Sequence, residues 1–246
     1  MPNVLRLMLA LLCLLPPAWA AEVRLAVGLT KLPYVEEGGR SGLEAALAIA
    51  TLTQAGYQVK VVQLPQARGL AMLKEGQVDA MITLTPAASD ALFYSQPLLY
   101  YRNRAIALHS SGIVLTQLGD LSRYSVASFQ NARLLFGADF ASAITRSPNY
   151  SEHADQDTLN RLLLNRRVDV IISDEFIFRA NPTQTDLGGQ RHATVSYALL
   201  GSSPRHVGFA NVYLRQQFDN ALLQLKTSGE YERISQQYRQ RYLLPN

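Results

Sequence analysis

Cysteine is almost absent: Cys13 is the single one in 246 residues. It falls in a segment expected to be removed, so the working chain carries no thiol. That excludes a disulfide scaffold, a thiol nucleophile and a cysteine metal site. Lysine is scarce as well, with four in the chain, and the arginines are scattered. No basic run interleaved with aromatics appears, so nucleic acid is not an expected partner. The four histidines, His109, His153, His192 and His206, lie far apart, and no pair has metal-ligand spacing on a helix. Neither a metal nor a cofactor is expected. No stretch is long and apolar enough to span a bilayer, which takes roughly 20 apolar residues.

What is present begins with a targeting segment. Arg6 precedes the apolar run 7–15, Pro16 and Pro17 break it, and Ala18-Trp19-Ala20 forms a small-x-small cleavage site. This is the order of a secretory signal peptide, and the run is too short for a membrane anchor. A lipoprotein reading of Cys13 fails because Leu12 stands where a small residue is needed. Cleavage after Ala20 is expected to send a mature chain of 226 residues, with 22 basic against 19 acidic side chains, to the periplasm. A chain of this length can bury a core without staples. It is long for one domain and short for two independent ones, which suits two small lobes.

Strand and helix patterns then alternate. Residues 23–28 alternate with period two and end in Gly28. A helix is expected over 43–55, opened by a capping-box spacing from Ser41 to Glu44 and ended by Gly56. A strand over 59–64, a helix over 67–74 and a buried strand over 78–84 complete a βαβαβ run, which calls for a largely parallel sheet. Thr85-Pro86 reads as the start of a short helix, and 98–108 as a long strand. A second series follows: strand 124–128, helix 131–144, strand 149–152, helix 158–165 and buried strand 168–173. Residues 181–208 are poor in pattern and read as loops plus a strand near 197–200. Leu214, Phe218, Ala221, Leu222 and Leu225 form the stripe of an amphipathic helix. Gly229 interrupts it before a final helix carrying Tyr231, Ile234 and Tyr238.

Several local motifs follow one another in a particular order. Leu32-Pro33-Tyr34 comes after the first strand, then Gly42-Leu43-Glu44 at a helix start. Leu73-Lys74-Glu75-Gly76-Gln77-Val78-Asp79-Ala80 steps into a strand, and Thr85-Pro86 precedes Tyr94-Ser95-Gln96-Pro97. Arg167-Val168-Asp169-Val170 leads to Asp174, and Ser228-Gly229-Glu230-Tyr231-Glu232-Arg233-Ile234 closes the chain. Together these resemble the family 3 extracellular solute-binding proteins, the periplasmic receptors of polar amino-acid ABC transporters. The resemblance runs from about Val23 to Tyr242. It implies an α/β, type II periplasmic-binding-protein fold: two small sheets with helices on both faces and a cleft between lobes. Lobe 1 is expected to comprise 22–106 with 199–246, and lobe 2 residues 107–198, both following the signal peptide at 1–20.

The resemblance also implies a site. Tyr34 becomes a ring over the ligand, or a surface turn aromatic. Thr83 and Thr85 become carboxylate binders, with Thr85 also suited to a plain cap. Asp174 becomes the partner of a ligand ammonium, or a helix-capping aspartate. Ser128, Phe129, Gln130 and Asn131, between a strand and a helix, would offer N–H and amide groups to an anion, or form a cap cluster. One departure is notable. The family's carboxylate-clamping arginine, two residues after Thr-Pro, is here Ala88. Arg68 is the expected substitute, or a surface helix residue. The resulting expectation is a monomeric binding protein, not an enzyme. It takes a small polar solute, an amino acid or related amine or carboxylate, and hands it to an inner-membrane ABC permease or sensor. The rivals are an orphan sensing module and a periplasmic dehydratase of the same fold, which would need a placed carboxylate or histidine.

Overall fold

The computed structural model describes residues 21–182 and 192–244. The targeting segment at 1–20 and part of the pattern-poor stretch, 183–191, lie outside the described residues.

The first half alternates as the periodicity requires: β1 (Glu22–Val27), α1 (Leu43–Gln54), β2 (Gln58–Gln63), α2 (Gln66–Lys74) and β3 (Ala80–Leu84). β1 lies parallel between β2 and β3. A short β4 (Phe93–Tyr94) leads into the ten-residue β5 (Leu99–Leu108). The second series is β6 (Val126–Phe129), α3 (Ala132–Thr145), β7 (Tyr150–His153), α4 (Gln156–Leu164), β8 (Val170–Asp174) and α5 (Glu175–Ala180). Here β6 runs parallel between β7 and β8. The chain returns through β9 (Thr194–Tyr197) and β10 (Ser202–Phe209) and ends on α6 (Val212–Thr227) and α7 (Glu230–Arg241).

The strand order is β2-β1-β3-β10-β5-β8-β6-β7. β5 joins the two halves. Its residues Leu99 to Arg102 pair with β10, and Asn103 to Ala107 pair with β8. Each half buries apolar residues on both faces of its sheet, the arrangement a parallel sheet requires. Leu25, Leu47, Ile82 and Phe209 fill one face of the first half, and Ala26, Leu73 and Met81 the other. In the second half Val126, Phe140 and Ile172 pack on one face, and Ile106, Leu159 and Ile171 on the other.

Three local expectations need correction. The Ser41–Glu44 capping box does not form. Gly42 is the cap of α1, with φ 103 and no side-chain cap bond, while Ser41 Oγ donates to Glu36 at 2.7 Å. Glu44 is instead wholly buried. The strand expected near 197–200 lies at β9, and 202–208, expected to be loop, belongs to β10, a strand in the middle of the sheet. Pro204 is tolerated there because β10 pairs with β5 alone at that position, and with β3 only from His206 onward. The third concerns α3. Gly137, at φ 76 and ψ −164, breaks its helical geometry one turn in.

Candidate functional site

A cavity of about 520 Å³ opens between the two halves. In a parallel sheet the loops at the carboxyl ends of the strands share one edge, and here two such edges face each other. From the first half come Lys31 after β1, and Thr83, Leu84, Thr85 and Ala88 at and beyond the end of β3. From the second come Phe129, Gln130 and Asn131 at and after the end of β6, and Asp174 at the end of β8. Between them stand Tyr101 and Asn103 on β5 and Arg205 on β10.

Thr83 has φ 63, a left-handed conformation that is strained for a β-branched residue. The cause is a register shift. Leu84 faces His206 and Met81 faces Gly208, so β3 spends three steps where β10 spends two. The extra residue is a bulge, a device that re-aims a side chain at a strand end. The Thr83 hydroxyl donates to Glu44 Oε2 at 2.9 Å, its carbonyl accepts from Gln66 Nε2 at 3.1 Å, and the residue borders the cavity. Thr85 precedes the short 3-10 turn Pro86–Ala88 and makes no side-chain cap bond.

Tyr101 is the hub of the cleft. Its hydroxyl donates to Glu44 Oε2 at 2.9 Å. Its ring is stacked with Tyr34 at 4.2 Å between centroids. Two cations lie over the same ring: the Arg205 guanidinium carbon at 4.4 Å and Lys31 Nζ at 5.0 Å from the centroid. Arg205 Nε is buried with no hydrogen-bond partner. Burial pushes the Lys31 pKa down. Glu44 and Asp174 oppose that shift, and Arg205 adds to it.

Asp174 is 2% exposed and caps α5. One carboxylate oxygen accepts from the Phe176 and Ile177 N–H groups, both at 2.9 Å. The other accepts from Arg102 N–H at 2.6 Å and from the Tyr34 hydroxyl at 3.2 Å. Burial pushes its pKa up to about 6, although all four hydrogen bonds pull the other way. Asn103, also buried, donates from Nδ2 to Ser203 Oγ at 2.8 Å and so ties β5 to β10 where the chain crosses between halves.

Of the residues expected from sequence, Thr83, Thr85, Gln130, Asn131 and Asp174 meet at this cavity. Tyr34 does not line it. That ring is buried, 1% exposed, against Tyr101, and its hydroxyl reaches Asp174. Ser128 is wholly buried and bonds the Tyr150 hydroxyl at 2.6 Å. Arg68 is exposed on α2 and does not line the cavity. The N–H groups offered at the start of α3 are partly taken. Glu152 on β7 accepts from Asn131 N–H at 2.7 Å and from Arg133 N–H at 2.9 Å. An internal carboxylate therefore sits where a ligand anion was expected. Sequence reasoning missed Lys31, Tyr101, Asn103 and Arg205. Lys31 had a signal, as one of few lysines and placed beside the Pro33-Tyr34 turn. Arg205 had none, because its strand has no pattern.

Two α/β halves joined by long strands, facing each other across a cavity at their strand ends, define a type II periplasmic binding fold. The sequence agrees. The family model of the bacterial extracellular solute-binding proteins, family 3, matches residues 23–241, and the chain belongs to that family. Among the curated proteins no match is found. Three solved structures illustrate the likeness. The GluR0 ligand-binding core in complex with L-glutamate has a TM-score of 0.72 at 16% identity, covering 90% of this chain and 99% of that one. The amino acid ABC transporter substrate-binding protein AbpA from Streptococcus pneumoniae, bound to L-arginine, has a TM-score of 0.69 at 16% identity, covering 92% and 97%. The ancestral amino-acid-binding protein AncCDT-1, a precursor of cyclohexadienyl dehydratase, has a TM-score of 0.68 at 16% identity, covering 89% and 95%. At these identities the likeness is one of fold.

Proposed function

We propose that the protein captures a small polar solute, an amino acid or a related amine or carboxylate, in the periplasm and delivers it to an inner-membrane ABC permease. The observation that carries this reading is the cavity itself. It has the size of a small-molecule site, and polar groups from both halves converge on it. In this reading lobe 1 is 22–106 with 199–246 and lobe 2 is 107–198. Ligand draws the two together by bending along the crossing strands near residues 106 and 198, a few residues beyond the point where β5 changes partner between Arg102 and Asn103. Thr83, Thr85, Gln130, Asn131 and Asp174 contact the solute, joined by Lys31, Tyr101, Asn103 and Arg205. Tyr34 and Ser128 act through the neighbours they hold. Arg205 takes the anchoring part that sequence reasoning gave to Arg68.

Binding is favoured over catalysis by the state of the acids. Among the described residues no histidine lines the cavity, and both oxygens of Asp174 are committed to donors. Proton transfer at Asp174 would require one of those bonds to be given up first. Thermal shift across a panel of amino acids, amines and organic acids tests the proposal, with a turnover assay on every hit. The expected result is stabilisation by at least one class and no product. Silence across the panel refutes solute capture in favour of an orphan module, and turnover refutes it in favour of an enzyme.

A further inference from the structure

Resting on that reading, we propose that the cleft selects solutes of net negative charge, holding a carboxylate between Arg205 and Lys31 and requiring no ammonium. The hydrogen-bonding capacity left open toward the cavity lies with the cations. A carboxylate offers about four lone-pair sites. Asp174 has all four filled, by three backbone N–H groups and one phenol. A ligand ammonium therefore meets an acid that must give up an existing bond to receive it. Glu44 accepts from the hydroxyls of Thr83 and Tyr101 on Oε2 alone, and its Oε1 is buried without a partner, but Glu44 does not line the cavity and so presents no acceptor to a solute there.

The cations are in the opposite state. Arg205 and Lys31 line the cavity and enter no salt bridge among the described residues. The guanidinium makes one long contact, 3.4 Å from Nη1 to the Pro204 carbonyl, and its Nε has none. An unpartnered buried donor on a charged group is costly, and a carboxylate is the acceptor whose geometry matches a guanidinium fork. Glu44 and Asp174 act on Lys31 against the repulsion from Arg205, but neither acid forms an ion pair with either cation, so a carboxylate entering the cavity finds both cations open to it. Ala88, where the resemblance places an arginine, leaves room on the β3 side of the same cavity. The anchor has thus moved from the loop after β3 to the strand β10 that faces it.

Calorimetry with four probes of similar size decides the matter: glutarate, L-glutamate, L-glutamine and L-arginine, against the parent, Arg205→Gln, Arg205→Lys and Lys31→Gln. Glutarate and L-glutamate should bind the parent more tightly than L-glutamine, and L-arginine most weakly. Arg205→Gln should lose roughly 30-fold or more in affinity for glutarate, the usual result of truncating one partner of a desolvated charge pair. Arg205→Lys, which keeps the charge but not the fork, should fall between. Circular dichroism verifies folding. If Arg205→Gln does not fold, Arg205→Lys and Lys31→Gln carry the test, each with a weakened response to glutarate. Preferred binding of L-glutamine or L-arginine overturns the anionic selectivity while leaving solute capture standing. So does glutarate binding that no variant weakens. If none of the four probes binds, the inference fails, and the broader panel above decides separately whether solute capture fails with it.

Discussion

Asp174→Asn replaces one oxygen of an enclosed carboxyl group with an NH2 group of nearly the same shape, and its effect divides into two parts. The first is independent of pH. Asn can keep its oxygen toward the Phe176 and Ile177 N–H groups, but its nitrogen then faces the Arg102 N–H, a donor 2.6 Å from the present oxygen. A buried donor left without an acceptor costs about 1–3 kcal/mol. The second part depends on pH. In the folded protein burial raises the Asp174 pKa from 3.8 to about 6. The folded state therefore holds this proton more tightly than the unfolded state does. Asp174 contributes its full stabilisation below about pH 4, and that contribution is lost as pH rises toward 6. The gap between 3.8 and about 6 is worth on the order of 3 kcal/mol. The residue is fully enclosed, so solvent screening does not reduce it. Asn does not titrate. Urea unfolding of both proteins at pH 4, 5, 6 and 7 should show the variant's deficit shrinking by on the order of 3 kcal/mol as pH rises, with unchanged m-values. A deficit that stays constant refutes the raised pKa. A deficit that grows with pH shows the reverse, a carboxylate held ionised by a cation.

Three further variants probe the same framework. Tyr34→Phe deletes one of the hydrogen bonds that lower the Asp174 pKa, so its titration midpoint should move above 6 and stability should fall by about 1 kcal/mol. An unmoved carboxyl midpoint by NMR counts against the contact. Gly42→Ala places a Cβ 2.5 Å from the Tyr34 carbonyl oxygen at φ 103, and should cost about 3 kcal/mol or more from backbone strain and overpacking together. Gly229→Ala, at φ 81 with nothing within 4 Å, should cost only about 1 kcal/mol. Equal midpoints for the two in urea would show that the close approach at Gly42 does not matter.

Features that depend on neighbours along the chain are legible in the amino-acid order. Period-two and helical stripes placed most strands and helices within a few residues, because an element's own pattern decides which face it buries. Thr83, Thr85 and Asp174 could be placed at strand ends from the sequence, because the end of a parallel strand is a local feature and strand ends share one edge, and the resemblance then nominated them; in the structure all three line the cavity. Tertiary structure decided what depends on partners far along the chain. β10 is a strand because β5 and β3 supply its hydrogen bonds, despite Pro204 and a polar run that argue for a loop. Arg205 reaches the cleft only through that pairing. Tyr34 turns inward because its hydroxyl finds Asp174, 140 residues away, and its ring finds Tyr101. Glu152 occupies the start of α3 because β7 lies parallel beside β6. Local propensity says which groups a segment presents, and the long-range pairing of strands fixes which of them are consumed and which remain to meet a ligand.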